Sequence, residues 1–470
     1  MAPKPARALI GVLIAALILP LTLCVCGFFL PPQFGETFLG IFPQKHQRLT
    51  QGEGKRIILV GGSSVPFGIK SGLMEAHLQG YCVIDFGLYA DIGTPVMLDF
   101  LEEQLRPGDI VILSPEQHAQ ALSDRCNYES LWQAMDGHWS LLTSLHSSRW
   151  ESLIAAFPGF AGKKCYYALT GSPKVEGIYQ ANAFDDYTDI SSPLRQNNIM
   201  AGGYDPNLPI SFDTALLTEE ILTLFEEFYQ TATDKGANVY YRFPPMNAAA
   251  VTDPSEVDDY YDALRARLPF PILGDPHRSI LESGWFYDTN FHLNESGAIV
   301  FTKGLIEDLK ILFRDTSVTH ISLPEMPPPA QSAIVSGDTS CADCFTYESI
   351  DGGWRITGLT DKGASANRLI VPTHFQEAPV LELMADVFTG NQTLRELTIQ
   401  ANIRTLHDGM FAGSALTKLH LTAASPGNYT VGDALRSGAD FLIYVPGPAT
   451  DSYRRHYSWQ QYDSWILPES

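Results

Sequence analysis

Four short apolar runs, at residues 56–60, 81–86, 109–113 and 237–241, set the strongest limit on what this chain can fold into. The first reads Ile57-Ile58-Leu59-Val60, apolar at successive positions rather than alternate ones, so a strand formed there has to be covered on both faces. Helical patterns at 95–105 and 218–233 lie between the runs. Strands alternating with helices make a parallel sheet with helices on both sides, joined by right-handed crossovers. An α/β domain is therefore predicted over 55–315, closing with a helix at about 295–313. Residues 120–215, aromatic and irregular, read as an insertion over the carboxyl edge of the sheet, where α/β folds place their ligands.

The chain is longer than one such domain. Its 470 residues exceed the roughly 250–300 at which single cores stop growing. Leu323-Pro-Glu-Met-Pro-Pro-Pro-Ala330 cannot continue a helix and reads as part of a stiff linker over 316–350. Beyond it, Leu394-x-x-Leu397-x-Ile399 returns as Leu416-x-x-Leu419-x-Leu421, and Val387-Phe388-x-Gly390 returns as Met410-Phe411-x-Gly413. A period of about 22 residues predicts a short solenoid over 351–470, each turn burying its apolar side against its neighbours and the end past Tyr444 acting as a cap.

At the other end, Lys4 and Arg7 precede residues 8–30, which carry no charge. At 1.5 Å per residue that run is long enough for a hydrocarbon core of about 30 Å. No small-x-small cleavage site follows it, which sets it apart from a cleaved signal peptide. A transmembrane anchor over 1–30 is expected, with the amino end inside, a Pro- and Gly-rich tether over 31–54, and the rest of this single-pass membrane protein outside the cytoplasm.

Hydrophobic content of 45% and charged content of 18% suit folded domains. The net charge of −22 argues against a nucleic-acid partner, because phosphates are bound by Lys and Arg. Five cysteines follow the apolar run: Cys82, Cys126, Cys165, Cys341 and Cys344. In an oxidising compartment Cys126 with Cys165 and Cys341 with Cys344 are the candidates for pairing. No second ligand pair completes a zinc site near Cys341, and neither a metal nor another cofactor is expected.

Chemistry concentrates in two places. Val60-Gly61-Gly62-Ser63-Ser64 follows the first strand, and its glycines let the backbone turn sharply so that the next side chain stands at the rim of the sheet. Ser63 is thus a candidate nucleophile. The patterns G-x-x-x-x-G-K-[ST], G-x-G-x-x-G and G-x-S-x-G are not met here. A nucleophilic serine needs a base and a group that orients the base. Gly284-Trp-Phe-Tyr-Asp288-Thr-Asn-Phe-His292-Leu-Asn294-Glu-Ser-Gly297 supplies both just before the last helix, at the same sheet edge as Ser63.

Gly61-Gly62-Ser63, the Gly87 of Asp85-Phe86-Gly87 after the second strand, and the late Asp288-x-x-x-His292-Leu293-Asn294-x-x-Gly297 resemble the SGNH or GDSL-type hydrolases. The likeness is to the extracytoplasmic branch associated with bacterial surface polysaccharides, and it covers about residues 55–312. It implies a flavodoxin-like three-layer fold with Ser63 as nucleophile, His292 as base and Asp288 as its partner. It also implies an oxyanion hole built from the N–H groups of Ser63 and Gly87. Two departures stand out. Asp288 lies four residues before His292 rather than three, which leaves Asp275 in reserve. The third block reads Ser114-Pro115-Glu116 where the family has Asn, so Asn247 becomes the candidate side-chain donor and Glu116 a candidate substrate contact or structural carboxylate.

The repeats resemble the leucine-rich repeats of BspA-type bacterial surface proteins. Together the likenesses imply a membrane-anchored serine esterase or O-acyltransferase acting on acyl esters, such as acetyl, of cell-surface polysaccharide. Its partners would be a glycan or acyl-ester substrate and, for the transferase, a membrane acyltransferase. The alternative is an inactive surface adhesion or scaffold protein whose repeats bind a protein partner.

Overall fold

The four apolar runs form β1 (Lys55–Gly61), β2 (Tyr81–Gly87), β3 (Ile110–Ser114) and β4 (Asn238–Tyr241), all parallel, in the order β2-β1-β3-β4. Their continuous apolarity has a direct cause. In β1, Ile58 and Val60 enter one core while Ile57 and Leu59 enter another, and β3 divides Val111 and Leu113 from Ile110 and Ile112 in the same way. Successive side chains of a strand point to opposite faces, so each face needs its own helices. Beyond β1 come α1 (Ser64–Gly68) and α2 (Ser71–His77); then α3 (Thr94–Glu102), α4 (Trp150–Thr170), α5 (Glu219–Asp234) and α6 (Glu295–Phe313). Helices α3 and α5 cover one face through Val96, Phe100, Ile221 and Phe225, and α2 and α6 cover the other through Met74, Phe301, Leu305 and Leu309.

This computed structural model describes residues 18–470 apart from 174, 176, 201, 202, 207, 328–338, 351, 377, 433, 457 and 470, so the expected linker lies partly outside the described residues. A separate core gathers residues between Cys344 and Ile466. Its main sheet is parallel, with β5 (Arg368–Ile370), β6 (Glu396–Ile399), β7 (Lys418–Leu421), β8 (Leu442–Val445) and β9 (Ile466–Pro468) side by side in chain order. Glu396 pairs with Lys418, and Lys418 with Leu442, so each repeat adds one strand. Leu397, Leu419 and Ile443 stack inside it with no exposed surface. This unit touches the first through Arg404, whose Nη1 lies 3.2 Å from the Tyr204 hydroxyl.

The chain is thus mixed α/β with several parallel sheets, and the predicted transmembrane helix is overturned. Among the described residues no helix is long and apolar enough to cross a membrane. Residues 18–29 are helical and residues 1–17 lie outside the described residues. Only the carboxyl end of the apolar run packs on the domain: Cys26 is buried and the Phe28 ring stacks on Phe157 with centroids 4.9 Å apart and meets Trp139 at 5.3 Å, whereas Ile18, Leu19, Leu21, Val25 and Phe29 are exposed. The Lys164 ammonium donates to Gly27 O at 2.9 Å, a cation satisfying a carbonyl at the end of a helix. Of the proposed disulfides, Cys126 and Cys165 are unpaired thiols, and the Cys341 side chain lies outside the described residues.

Candidate active site

Strand β1 ends where Gly61 pairs with both Gly87 and Ser114, so the carboxyl ends of three strands meet beside the Gly62-Ser63 turn. Ser63 is the cap residue of α1. A side chain at position 62 would put its Cβ 2.6 Å from Glu116 Oε1. Glycine there is what lets Glu116 close on the nucleophile.

The loop that carries His292 is pinned from both ends. Asn294 caps α6 by accepting from Gly297 N–H at 2.9 Å, and its amide donates to Gly284 O at 2.7 Å and Phe286 O at 3.1 Å. Tyr287 N–H donates to His292 O at 2.8 Å. Gly297 has no room for a side chain, since a Cβ would sit 2.2 Å from Trp285 O. The motif is therefore a scaffold for one orientation of His292. Its Nε2 lies 2.7 Å from Ser63 Oγ and its Nδ1 2.8 Å from Asp288 Oδ1. A carboxylate only accepts, so Nδ1 carries the ring proton and Nε2 is free to accept the serine hydroxyl. Ser63 and His292 are 6% and 5% exposed, so their contacts act in a largely dry environment where electrostatic interactions are strong.

The other expected residues are placed differently. Asp275 caps the turn Pro276–Ser279 by accepting from His277 N–H at 2.9 Å, so Asp288 alone orients the histidine. Gly87 N–H donates to Asp85 Oδ1 at 2.8 Å. The Asn247 amide donates to Gly203 O at 2.8 Å, and its oxygen accepts from Ala249 N–H and the Ser283 hydroxyl. Of the three expected oxyanion donors, the Gly87 N–H is committed to Asp85 and one Asn247 amide N–H to Gly203, whereas the Ser63 N–H makes no hydrogen bond among the described residues.

Sequence reasoning missed three supports of this site. The Tyr179 hydroxyl donates to Asp288 Oδ2, and burial together with the Asp288 charge holds the phenol well above its ordinary value, so it remains a donor. Phe67 lies flat against the His292 ring. Arg195, fully buried, donates to Phe67 O at 2.6 Å and Leu293 O at 3.3 Å, tying α1 to the histidine loop, and its Nη2 is 2.9 Å from Glu295 Oε2. Tyr179 and Arg195 come from the aromatic insertion at 120–215, whose weak periodicity offered no signal for either. Phe67 was visible as the fourth residue after Ser63, on the same face of a helix.

No protein-family model matches the chain, and no curated protein matches it either. The class rests on geometry: an α/β protein with a Ser–His–Asp relay at the carboxyl edge of a parallel sheet.

Proposed function

We propose that the protein is a serine esterase or O-acyltransferase that acts on acyl esters of cell-surface or extracellular polysaccharide. The observation that carries this reading is the 2.7 Å contact between Ser63 Oγ and His292 Nε2, backed by Asp288 at 2.8 Å. A serine hydroxyl is a weak nucleophile until a base within about 2.6–3.2 Å takes its proton. Ser63 Oγ attacks the ester carbonyl while its proton moves to His292 Nε2, and Asp288 stabilises the imidazolium. The ester C–O bond breaks, His292 returns the proton to the leaving oxygen, and an acyl group remains on Ser63. Water or a sugar hydroxyl then attacks that acyl group, giving its proton to His292, and Ser63 is regenerated. The free Ser63 N–H is the donor available to the tetrahedral oxygen.

The polysaccharide substrate, and hydrolysis and transfer as the two alternative outcomes, rest on the family resemblance of the Ser63 and His292 motifs. Hydrolysis of p-nitrophenyl acetate by the full chain tests the reading. Turnover that disappears in Ser63→Ala supports it. Background rates in the intact protein would leave the scaffold alternative standing instead.

A further inference from the structure

Ser63 has a second neighbour that the relay does not use. Glu116 Oε1 lies 3.2 Å from Ser63 Oγ and accepts from Ser64 N–H at 2.9 Å, while Oε2 faces His118 Nε2 at 3.1 Å. His118 Nδ1 accepts from Ala121 N–H at 3.3 Å, so the neutral ring carries its proton on Nε2 and donates it to Glu116. Glu116 is 5% exposed. Burial alone would raise its pKa, but the hydrogen bonds from His118 and the Ser64 N–H, joined by the charge of His118 or His292 when either ring is protonated, bring it below the ordinary carboxylate value. It is therefore a buried anion in contact with the nucleophile.

That arrangement opposes a neutral ester. Attack by Ser63 places a negative oxygen on the carbon bonded to Oγ, and a fixed negative charge beside it raises the barrier by Coulomb repulsion. The Gly87 N–H, committed to Asp85, does not offset it. A positive charge on the acyl group would turn the same carboxylate from a penalty into a binding contact.

We propose that Glu116 receives a cationic acyl group and that the substrate class is an aminoacyl ester, whose α-ammonium pairs with Glu116 while Ser63 attacks the carbonyl. The proposal rests on the esterase or acyltransferase reading of Ser63. The reach is suitable: the α-nitrogen is two bonds, roughly 2.5 Å, from the carbonyl carbon, which stands about 1.5 Å from Oγ once the acyl group is attached. Glu116 Oε1, 3.2 Å from Oγ, is within ion-pair distance of a nitrogen so placed. The ammonium also stands beside the developing oxyanion and adds positive charge to the single Ser63 N–H donor. No proton passes between the ammonium and Glu116; the bonds made and broken remain those at Ser63 and the ester oxygen. His118 is a positioning residue that keeps Glu116 ionised and aimed.

The test compares p-nitrophenyl esters of propionate, lactate and alanine, which differ only in bearing hydrogen, hydroxyl or ammonium at the α-carbon. At about pH 6.5, below the usual α-amino value of about 8, kcat/KM of the full chain is measured for each and divided by the uncatalysed rate. The alanyl ester should exceed both others by at least about tenfold. Glu116→Gln should bring that ratio to near one, and Glu116→Asp should keep part of it. Equal ratios in the wild type, or a preference unchanged in Glu116→Gln, overturns the proposal and leaves the esterase reading intact. Background rates for all three esters overturn both.

Discussion

The imidazole of His292 lies flat on the ring of Phe67, their centroids 3.9 Å apart and their planes 4° from parallel. Phe67 sits one helical turn past Ser63 on α1, so the helix that presents the nucleophile also fixes the plane of the base. Phe67 is fully buried, and Phe67→Ala should lower stability by about 3–5 kcal/mol, as large core truncations do. Denaturant unfolding checks the stability. The ester rate of the folded variant should fall as well, because a free imidazole loses its alignment with Ser63.

Tyr179→Phe removes one donor from Asp288 and changes little else. The expected effect is a fall in kcat of roughly five- to tenfold with KM nearly unchanged, less than the about 1.5–3 kcal/mol a hydrogen bond to a charged group is worth, because Asp288 keeps its contact with His292. Asp288→Asn should be far worse, because it reverses the tautomer of His292. Steady-state kinetics separate these outcomes; a change confined to KM would place Tyr179 in substrate binding instead.

Asp288 was legible in the sequence and Tyr179 was not, for physical reasons. Strands β1 and β3 declare themselves because a strand covered on both faces is apolar at every position. Ser63, Asp288 and His292 were legible because each sits in a local motif shaped by backbone needs: glycine at the close approach of Glu116, Asn294 as a cap, Gly297 against Trp285 O. Tyr179 is 109 positions from Asp288, in a segment without periodicity, and one chain gives no sign of such a pairing. The apolar run at 8–30 misled because hydropathy and length alone do not fix a span: its described part is a helix over 18–29 only, which is not long and apolar enough to cross a membrane.

Gly297→Ala tests the scaffold around His292. The added methyl would meet a backbone carbonyl at 2.2 Å, which no side-chain rotation relieves, so the loop from Trp285 to Asn294 must shift. A loss of about 2 kcal/mol or more in stability is expected, with ester turnover falling further than in a surface Gly→Ala control. Unchanged Tm and rate would show that the loop has slack.

Stability should also depend on pH through Asp189. Its carboxylate accepts from the Ser71 N–H and hydroxyl at the start of α2, and burial with the nearby charge of Asp85 pushes its pKa from 3.8 up to about 7. A carboxyl whose folded value is raised binds its proton more tightly in the folded state. Its contribution to stability is therefore lost as pH rises from about 4 to about 7. Unfolding midpoints at about pH 4.5 and about pH 7.5 should show the wild type losing stability relative to Asp189→Asn over that interval. Parallel profiles would mean that Asp189 titrates normally.

The central claim is that His292 activates Ser63, and covalent labelling tests it most directly. A fluorophosphonate reacts with a serine only when a base removes its proton, so the full chain should gain a single adduct, mapped by mass spectrometry to the peptide containing Ser63. Ser63→Ala and His292→Ala should each abolish it, and the double variant should be no worse than either, since members of one catalytic unit are not additive. An unlabelled wild type, or an adduct that persists in Ser63→Ala, would contradict the account.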